Sequence, residues 1–360
     1  MRKLASIRTI EAVHPIEGAD KIEMVIIDGW QVVSQKGNFK EGDKCVYFEI
    51  DSIFKTNSPV GLSLPADKAS TYNTEEEGRV DGFRIKTIRL RGQISQGYAL
   101  PLGYFSSFKS VNLESEDLTF ELEVLKYDKP ESGVGGPGRT NAAGSFPTDF
   151  IRKTDQERAQ NLKRQIFDRY EDGTTFEVSY KLDGSSTTVG RYEKAGEVVD
   201  TICSRNLALK LDGPPDSSQF LIVGLPILNT FVEKDILNIA VQGELVSPNI
   251  QKNFENVTTP TFYAYSFWSV KDAAYLNPTE ARELAVKLGI KYVPVMHENV
   301  TLQELFGEGL DQNSLLTKLL EYAEGPSGLN GKYREGLVYK SQDGSFSFKT
   351  ISNSYLLKEK

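Results

Sequence analysis

The chain has 360 residues, a formal net charge of −8, 39% hydrophobic residues and 26% charged ones. That length suits two domains, the apolar share supports packed cores rather than disorder, and the acidic balance confines any nucleic-acid-binding surface to a local patch. Cys45, Cys203, His14 and His297 are its only cysteines and histidines, which excludes a disulfide scaffold and a zinc finger, fits a reducing compartment, and leaves oxygen ligands for any divalent ion.

Arg2 and Lys3 are not followed by an apolar signal core. The longest apolar run, Phe220 to Leu228, is interrupted by Gly224 and Pro226 and is too short to span a bilayer. The expectation is an intracellular protein, cytoplasmic or nuclear, with no signal peptide and no membrane partner.

Residues 1–128 read as mostly β. Ile22–Ile27, Gln31–Ser34 and Cys45–Ile50 are short β-rich runs, with Asp28-Gly29, Lys36-Gly37 and Glu41-Gly42-Asp43 as turns between them. Strands at that spacing fit a small barrel. From Gly82 to Asn112 there is no acid, while Arg84, Lys86, Arg89, Arg91 and Lys109 are present. The run reads either as a phosphate-tracking stripe or as a solvated strand face balanced by Glu75–Glu77.

Residues 129–147 hold five glycines and three prolines, the composition of a linker. No Lys-Ser/Thr follows these glycines at P-loop spacing. A helix is expected after the capping box Thr154-Asp-Gln-Glu157, ending at Asp172-Gly173. Further helices are expected over Thr279–Leu288 and Asn313–Ala323.

The richest stretch is Glu177 to Ser186. Phe176, Val178 and Tyr180 alternate with Glu177, Ser179 and Lys181, the period of a half-buried strand. Asp183 follows two positions after Lys181, and Gly184 permits a sharp turn or a close approach. Read alone, this is either a lysine and a carboxylate set beside a phosphate or an ordinary Asp-Gly strand end. Four later stretches leave similar pairs of readings. Arg205-Asn206 suits a phosphate or sugar hydroxyl, or a surface turn. Glu244 follows Gly243 after an apolar strand, Ile236–Val241, and suits ribose hydroxyls or a plain turn. Tyr263, Tyr265 and Phe267 share a face that either stacks on a base or packs in the core. Glu335–Lys340 and Ser347–Thr350 form a hairpin about Asp343-Gly344, bringing an acid and two lysines together.

In this order the stretches resemble the motifs of the covalent nucleotidyltransferase superfamily of ligases and capping enzymes. Lys181-Leu-Asp183-Gly184 resembles its nucleophile motif, and Arg205-Asn206, Gly243-Glu244, Tyr265, Glu335-Gly336 and Lys349 resemble the successive later ones. The first-domain stretch His14–Ile22 resembles the first-strand region of tRNA-binding OB modules, and with Phe146–Asn161 and Arg89–Gly97 the whole chain resembles ATP-dependent RNA ligases that carry an N-terminal OB domain. The resemblance implies an α+β protein: an OB-like barrel over 1–128, the linker over 129–147, and an ATP-grasp-like nucleotidyltransferase domain of antiparallel sheets and flanking helices over 148–360. It implies ATP with Mg²⁺ or Mn²⁺. Lys181 would attack the α-phosphate, with Lys349 stabilising the transferring phosphate. Asp183 and Glu335 would hold the metal, Glu244, Arg205 and Asn206 would fix the ribose, and Tyr265 would stack on adenine. The RNA-binding residues would be Arg84, Lys86, Arg89 and Arg91. The partner would be RNA with 3′-hydroxyl and 5′-phosphate ends, a nicked duplex ahead of a broken tRNA or an RNA–DNA hybrid, and the enzyme a monomer. A capping guanylyltransferase or a binding protein with a decayed site are the alternatives. The family's last motif carries two lysines; here Ser347 and Ile351 flank Lys349, and Lys340 is the candidate for the second phosphate contact.

Overall fold

The structure, a computed structural model, describes residues 3–108, 115–128 and 142–357. The chain divides into two compact units, Met1–Pro130 and Glu131–Glu359.

The first unit is built from short antiparallel strands. Lys44–Phe48 lies between Ala5–Thr9 and Tyr98–Pro101. Ala12–Pro15, Ile22–Ile27 and Trp30–Gln35 form a meander, as the turn signals require. Ser52–Lys55, Gly78–Arg84, Ser70–Thr74 and Val124–Lys126 make a four-stranded sheet. Val46, Phe48, Phe54, Phe83 and Leu100 share one core. The basic run starts at the end of Gly78–Arg84 and continues into a hairpin, Ile88–Leu90 with Gln93–Ser95. Arg91 and Gly92 form its turn, both with left-handed φ of 49° and 84°, the geometry that matches strand twist. Residues 109–112 of the run, Lys109 among them, lie outside the described residues.

The second unit has two sheets. The five-stranded one runs Glu157–Arg158, Ser347–Ile351, Gly336–Ser341, Thr175–Lys181, Val295–Thr301. The seven-stranded one runs Ala142–Ser145, Leu207–Leu209, Glu197–Cys203, Ser185–Lys194, Ile239–Val246, Thr261–Ser269, Ala274–Tyr275. Phe176, Val178, Leu337, Tyr339 and Phe348 pack on helices Lys163–Glu171 and Gln312–Tyr322. Because strand residues alternate in direction, Glu177, Ser179, Lys181, Lys340 and Lys349 point away from that core. Leu182, Asp183 and Gly184 carry the chain from the five-stranded sheet to the centre of the seven-stranded one.

Several expectations need correction. Glu177 and Ser179 are as buried as Phe176 and Val178, since their strand is interior to its sheet and both faces are covered. No helix starts at Thr154: Glu157–Arg158 is a strand and the helix begins at Lys163, because the Thr154 hydroxyl is engaged by the Tyr265 hydroxyl at 3.0 Å instead of capping a helix. The apolar run at 220–228 belongs to one helix, Gln219–Glu233, that continues through Pro226. Gly243 and Glu244 lie inside a strand, Ile239–Val246, and not beyond its end. Residues 129–141 of the linker lie outside the described residues, and Ala142–Ser145 is an edge strand paired with Leu207–Leu209. The helices at Pro278–Leu288 and Gln312–Tyr322 and the hairpin at 336–351 stand as expected.

Candidate active site

Lys181 ends its strand opposite Gly336, and its Nζ lies 2.8 Å from Glu335 Oε1. Glu335 is almost wholly buried, and its Oε2 has no hydrogen-bond partner among the described residues. Burial alone would push the Lys181 ammonium down, but Glu335, Glu244 and Asp183 outweigh it and raise the pKa above the ordinary lysine value. They hold the amine protonated.

Glu244 comes from the other sheet, with Ser186 on one side and Tyr263 on the other. Burial, with Glu335 and Asp183 adding and Lys181 opposing, pushes its carboxyl up to about 8. Gly184 makes this convergence possible. A Cβ there would stand 2.3 Å from the Leu245 carbonyl oxygen and 2.9 Å from Glu244 Cγ. Gly184→Ala is expected to wedge the sheets apart, costing about 1–3 kcal/mol, read as a lower midpoint in thermal unfolding. An unchanged midpoint would show that the contact relaxes freely.

Asp183 is held on both sides. Its backbone N–H donates to Glu255 Oε1 at 3.1 Å, and the Tyr355 hydroxyl donates to its Oδ1 at 3.0 Å. Glu255 is buried and also accepts from the Ser327 hydroxyl at 2.7 Å. Lys349 pairs with Asp155 at 3.1 Å. Burial pushes its ammonium down to about 8, with Asp155 opposing and Lys181 and Arg158 adding. Lys340 stands apart from this cluster. It donates to the Tyr265 carbonyl and, at 3.0 Å, to Ser266 Oγ, and burial lowers it to about 8 against the pull of Glu177. Of the two positions flanking Lys349, Ser347 lies opposite Lys340, and Ile351 is buried opposite Gly336.

Tyr265 sits at a register shift of its strand. Ala264 pairs with Gly243 and Ser266 with Gln242, so Tyr265 is the extra residue, and such bulges re-aim a side chain. Its hydroxyl lies 3.0 Å from Thr154 Oγ1 and 3.2 Å from Ser186 Oγ. Arg205 is exposed and Asn206 half-buried in a turn, where Lys153 Nζ donates to Asn206 Oδ1 at 2.8 Å. Lys181, Asp183, Glu244 and Glu335 thus converge, with Lys349 beside them, while Arg205 and Asn206 lie on a flanking turn. Glu255, Ser327, Tyr355 and Asp155 were not anticipated. Only the segment Phe146–Asn161, already singled out, pointed to one of them.

In the first unit, Arg84 Nη2 pairs with Asp51 at 2.7 Å and its guanidinium stacks 3.5 Å from the Tyr127 ring centroid. It anchors the basic run. Lys86, Arg89 and Arg91 are exposed. The acids at 75–77 are engaged elsewhere: Glu75 with Lys126, Glu77 with Lys55, and Glu76 with the Lys126 backbone.

Residues 4–102 match the family model of an OB-fold domain, and residues 174–353 match that of RNA ligase. No curated protein matches the chain. A Naegleria gruberi RNA ligase variant with AMP and Mn is 37% identical with a TM-score of 0.82, covering 99% of this chain and 98% of that one. A variant with ATP and Mn is 37% identical with a TM-score of 0.81, covering 98% of each. The same ligase with PPi is 37% identical with a TM-score of 0.80, covering 99% and 98%. Fold and site together define an OB-fold unit followed by a ligase-type nucleotidyltransferase unit. The chain belongs to the RNA ligase family. Among the described residues no helix is long and apolar enough to cross a membrane.

Proposed function

We propose that this chain is an ATP-dependent RNA ligase that joins a 3′-hydroxyl to a 5′-phosphate through a lysyl-AMP on Lys181. The observation that carries the reading is the convergence of Glu335, Glu244 and Asp183 on Lys181 where the two sheets meet. Similarity to a ligase bound to ATP, AMP and PPi supports it.

Lys181 Nζ, once deprotonated, attacks the α-phosphorus. A P–N bond forms, the bond to the β-phosphate oxygen breaks, and pyrophosphate leaves. An oxygen of the RNA 5′-phosphate then attacks the AMP phosphorus, a P–O bond forms, the P–N bond breaks, and Lys181 leaves as the amine and regains a proton. Finally the 3′-hydroxyl attacks that 5′-phosphorus and AMP departs. The chain's own carboxylates keep Lys181 protonated, so the amine becomes a nucleophile only when bound cationic charge offsets them. The residues fit a divalent ion. Glu335 offers, beside Asp183, a buried Oε2 with no hydrogen-bond partner among the described residues. Among the described residues no three acids, cysteines or histidines form a ready-made cage, which suits Mg²⁺ or Mn²⁺ completed by phosphate and water oxygens. Bound by Asp183 and Glu335, such an ion would neutralise phosphate charge and favour the free amine. Lys349 stabilises the transferring phosphate. Glu244, Arg205 and Asn206 hold the ribose, and Tyr265 stacks on adenine. Lys340 is tied to Tyr265 and Ser266, so it serves the base end of the nucleotide and not a second phosphate contact.

Incubation with labelled ATP or GTP, followed by a denaturing gel, tests the assignment. An AMP adduct is expected. A GMP adduct would point to capping chemistry, and no adduct to a decayed site.

The exposed cations of the first unit are assigned to the RNA, a nicked duplex. Deleting residues 1–128 is expected to spare self-adenylation and cripple joining. Changing Lys86, Arg89 and Arg91 to Ala should weaken RNA binding and flatten its log–log salt slope by about 0.9 per lost contact. An unchanged slope with normal joining would leave the stripe a solvated face.

A further inference from the structure

We infer that Glu177 is a positioning residue for the base platform: from the five-stranded sheet, with Arg282 behind it and Tyr292 and Lys340 in front, it holds the bulged Tyr265 of the other sheet in place. This rests on the reading that Tyr265 stacks on the base.

Glu177 is 0% exposed, four residues before Lys181 and on the same strand face. A carboxylate so deep is costly unless paired and hydrogen-bonded. Arg282, from helix Pro278–Leu288, supplies the charge: its Nε lies 2.9 Å from Glu177 Oε2, and its Nη1 reaches Glu298 at 2.8 Å. The Tyr292 hydroxyl donates to Glu177 Oε1 at 3.1 Å. Lys340 is the cross-strand partner of Glu177, and the carboxylate favours the Lys340 ammonium that burial disfavours.

Both front groups end on the same atom. The Tyr265 carbonyl oxygen accepts from Lys340 Nζ and lies 3.1 Å from the Tyr292 hydroxyl. Tyr265 is the extra residue of the bulge, and bulged residues drop out of the strand ladder. Its carbonyl is held by these two side chains. Tyr292 has one hydroxyl proton to share between Glu177 and Tyr265, which leaves Lys340 as the constant donor. Lys340 Nζ also lies 5.6 Å from the Tyr265 ring centroid, so one ammonium fixes both backbone and ring. An ion pair serving stability alone would close on Arg282. This one extends to the residue that meets the base.

The test is a double-mutant cycle on ATP–pyrophosphate exchange, in which self-adenylation runs reversibly and turns over at steady state. Glu177→Gln keeps the shape and removes the charge. It is expected to raise KM for ATP about tenfold, the scale of a misaligned base stack, with kcat within about twofold. Glu177→Asp should recover part of the loss. Tyr265→Ala should raise KM as well, and the double variant should be no worse than Tyr265→Ala alone. Additive losses, or an unchanged KM in Glu177→Gln while Tyr265→Ala is impaired, would overturn the inference and leave the base-stacking reading intact. A normal KM in Tyr265→Ala would overturn both. Should Glu177→Gln not fold, Tyr292→Phe, which removes one hydroxyl, carries the same cycle. A smaller KM rise that vanishes in the Tyr265→Ala background is expected, and a rise that persists there contradicts the inference.

Discussion

Lys181→Ala is expected to abolish the covalent adenylate while the protein keeps its fold. The side chain is 27% exposed at a strand end, so truncation opens no core cavity. It does remove the partner of Glu335, which is 9% exposed, and a lower unfolding midpoint is the expected secondary effect. Lys181→Arg should be equally inactive. A guanidinium keeps its proton at any accessible pH and has no lone pair to offer phosphorus. Labelled ATP, a denaturing gel and a circular dichroism spectrum of each variant decide the matter. A phosphoramidate is acid-labile and survives base. An adduct with that behaviour in Lys181→Ala would move the nucleophile elsewhere.

Lys349→Ala is expected to slow self-adenylation by about 10²–10³-fold, the usual cost of losing one positioned donor to a developing oxyanion. The variant should also shift the pH profile, and the sign follows from the site. Lys181 is one of the groups that lowers the Lys349 pKa, and the repulsion is mutual. Removing the Lys349 charge leaves Lys181 to its carboxylates, so its pKa rises further and the free-amine fraction at a given pH falls. The rate should therefore recover in part toward alkaline pH. The lost pair with Asp155 matters little to stability, because Asp155 is 69% exposed. Single-turnover adenylation across a pH series makes the measurement. A rate within about threefold of the parent, with an unmoved profile, would remove Lys349 from the phosphate-stabilising role.

The parts of this site legible in the sequence are those written in local order. Alternation from Phe176 to Lys181 marks a strand, and Asp343-Gly344 marks a hairpin turn. Parity along those strands puts Lys181 and Lys349 on one face. The rest depends on contacts distant in sequence. Glu255 reaches the Asp183 backbone across 72 residues, and Tyr355 reaches its carboxylate across 172. Neither belongs to a local pattern. Burial of Glu177 follows from a second sheet over its strand, which a period-two pattern cannot reveal. Thr154 has every local feature of a helix cap, but a tertiary partner, Tyr265, engages its hydroxyl instead. Pro226 argues locally for a break, but the apolar residues around it bury against the seven-stranded sheet and the helix continues through.

The covalent route is tested most directly by a pulse and chase. The protein is loaded with labelled AMP, freed of ATP, and mixed with nicked duplex RNA bearing a 3′-hydroxyl and a 5′-phosphate. Label should leave the protein, pass through an adenylated RNA end and emerge as free AMP while an equal amount of nick is sealed, with no ATP added. Label that stays on the protein while nicks close, or closure that waits for fresh ATP, would contradict a lysyl-AMP on the path to joining.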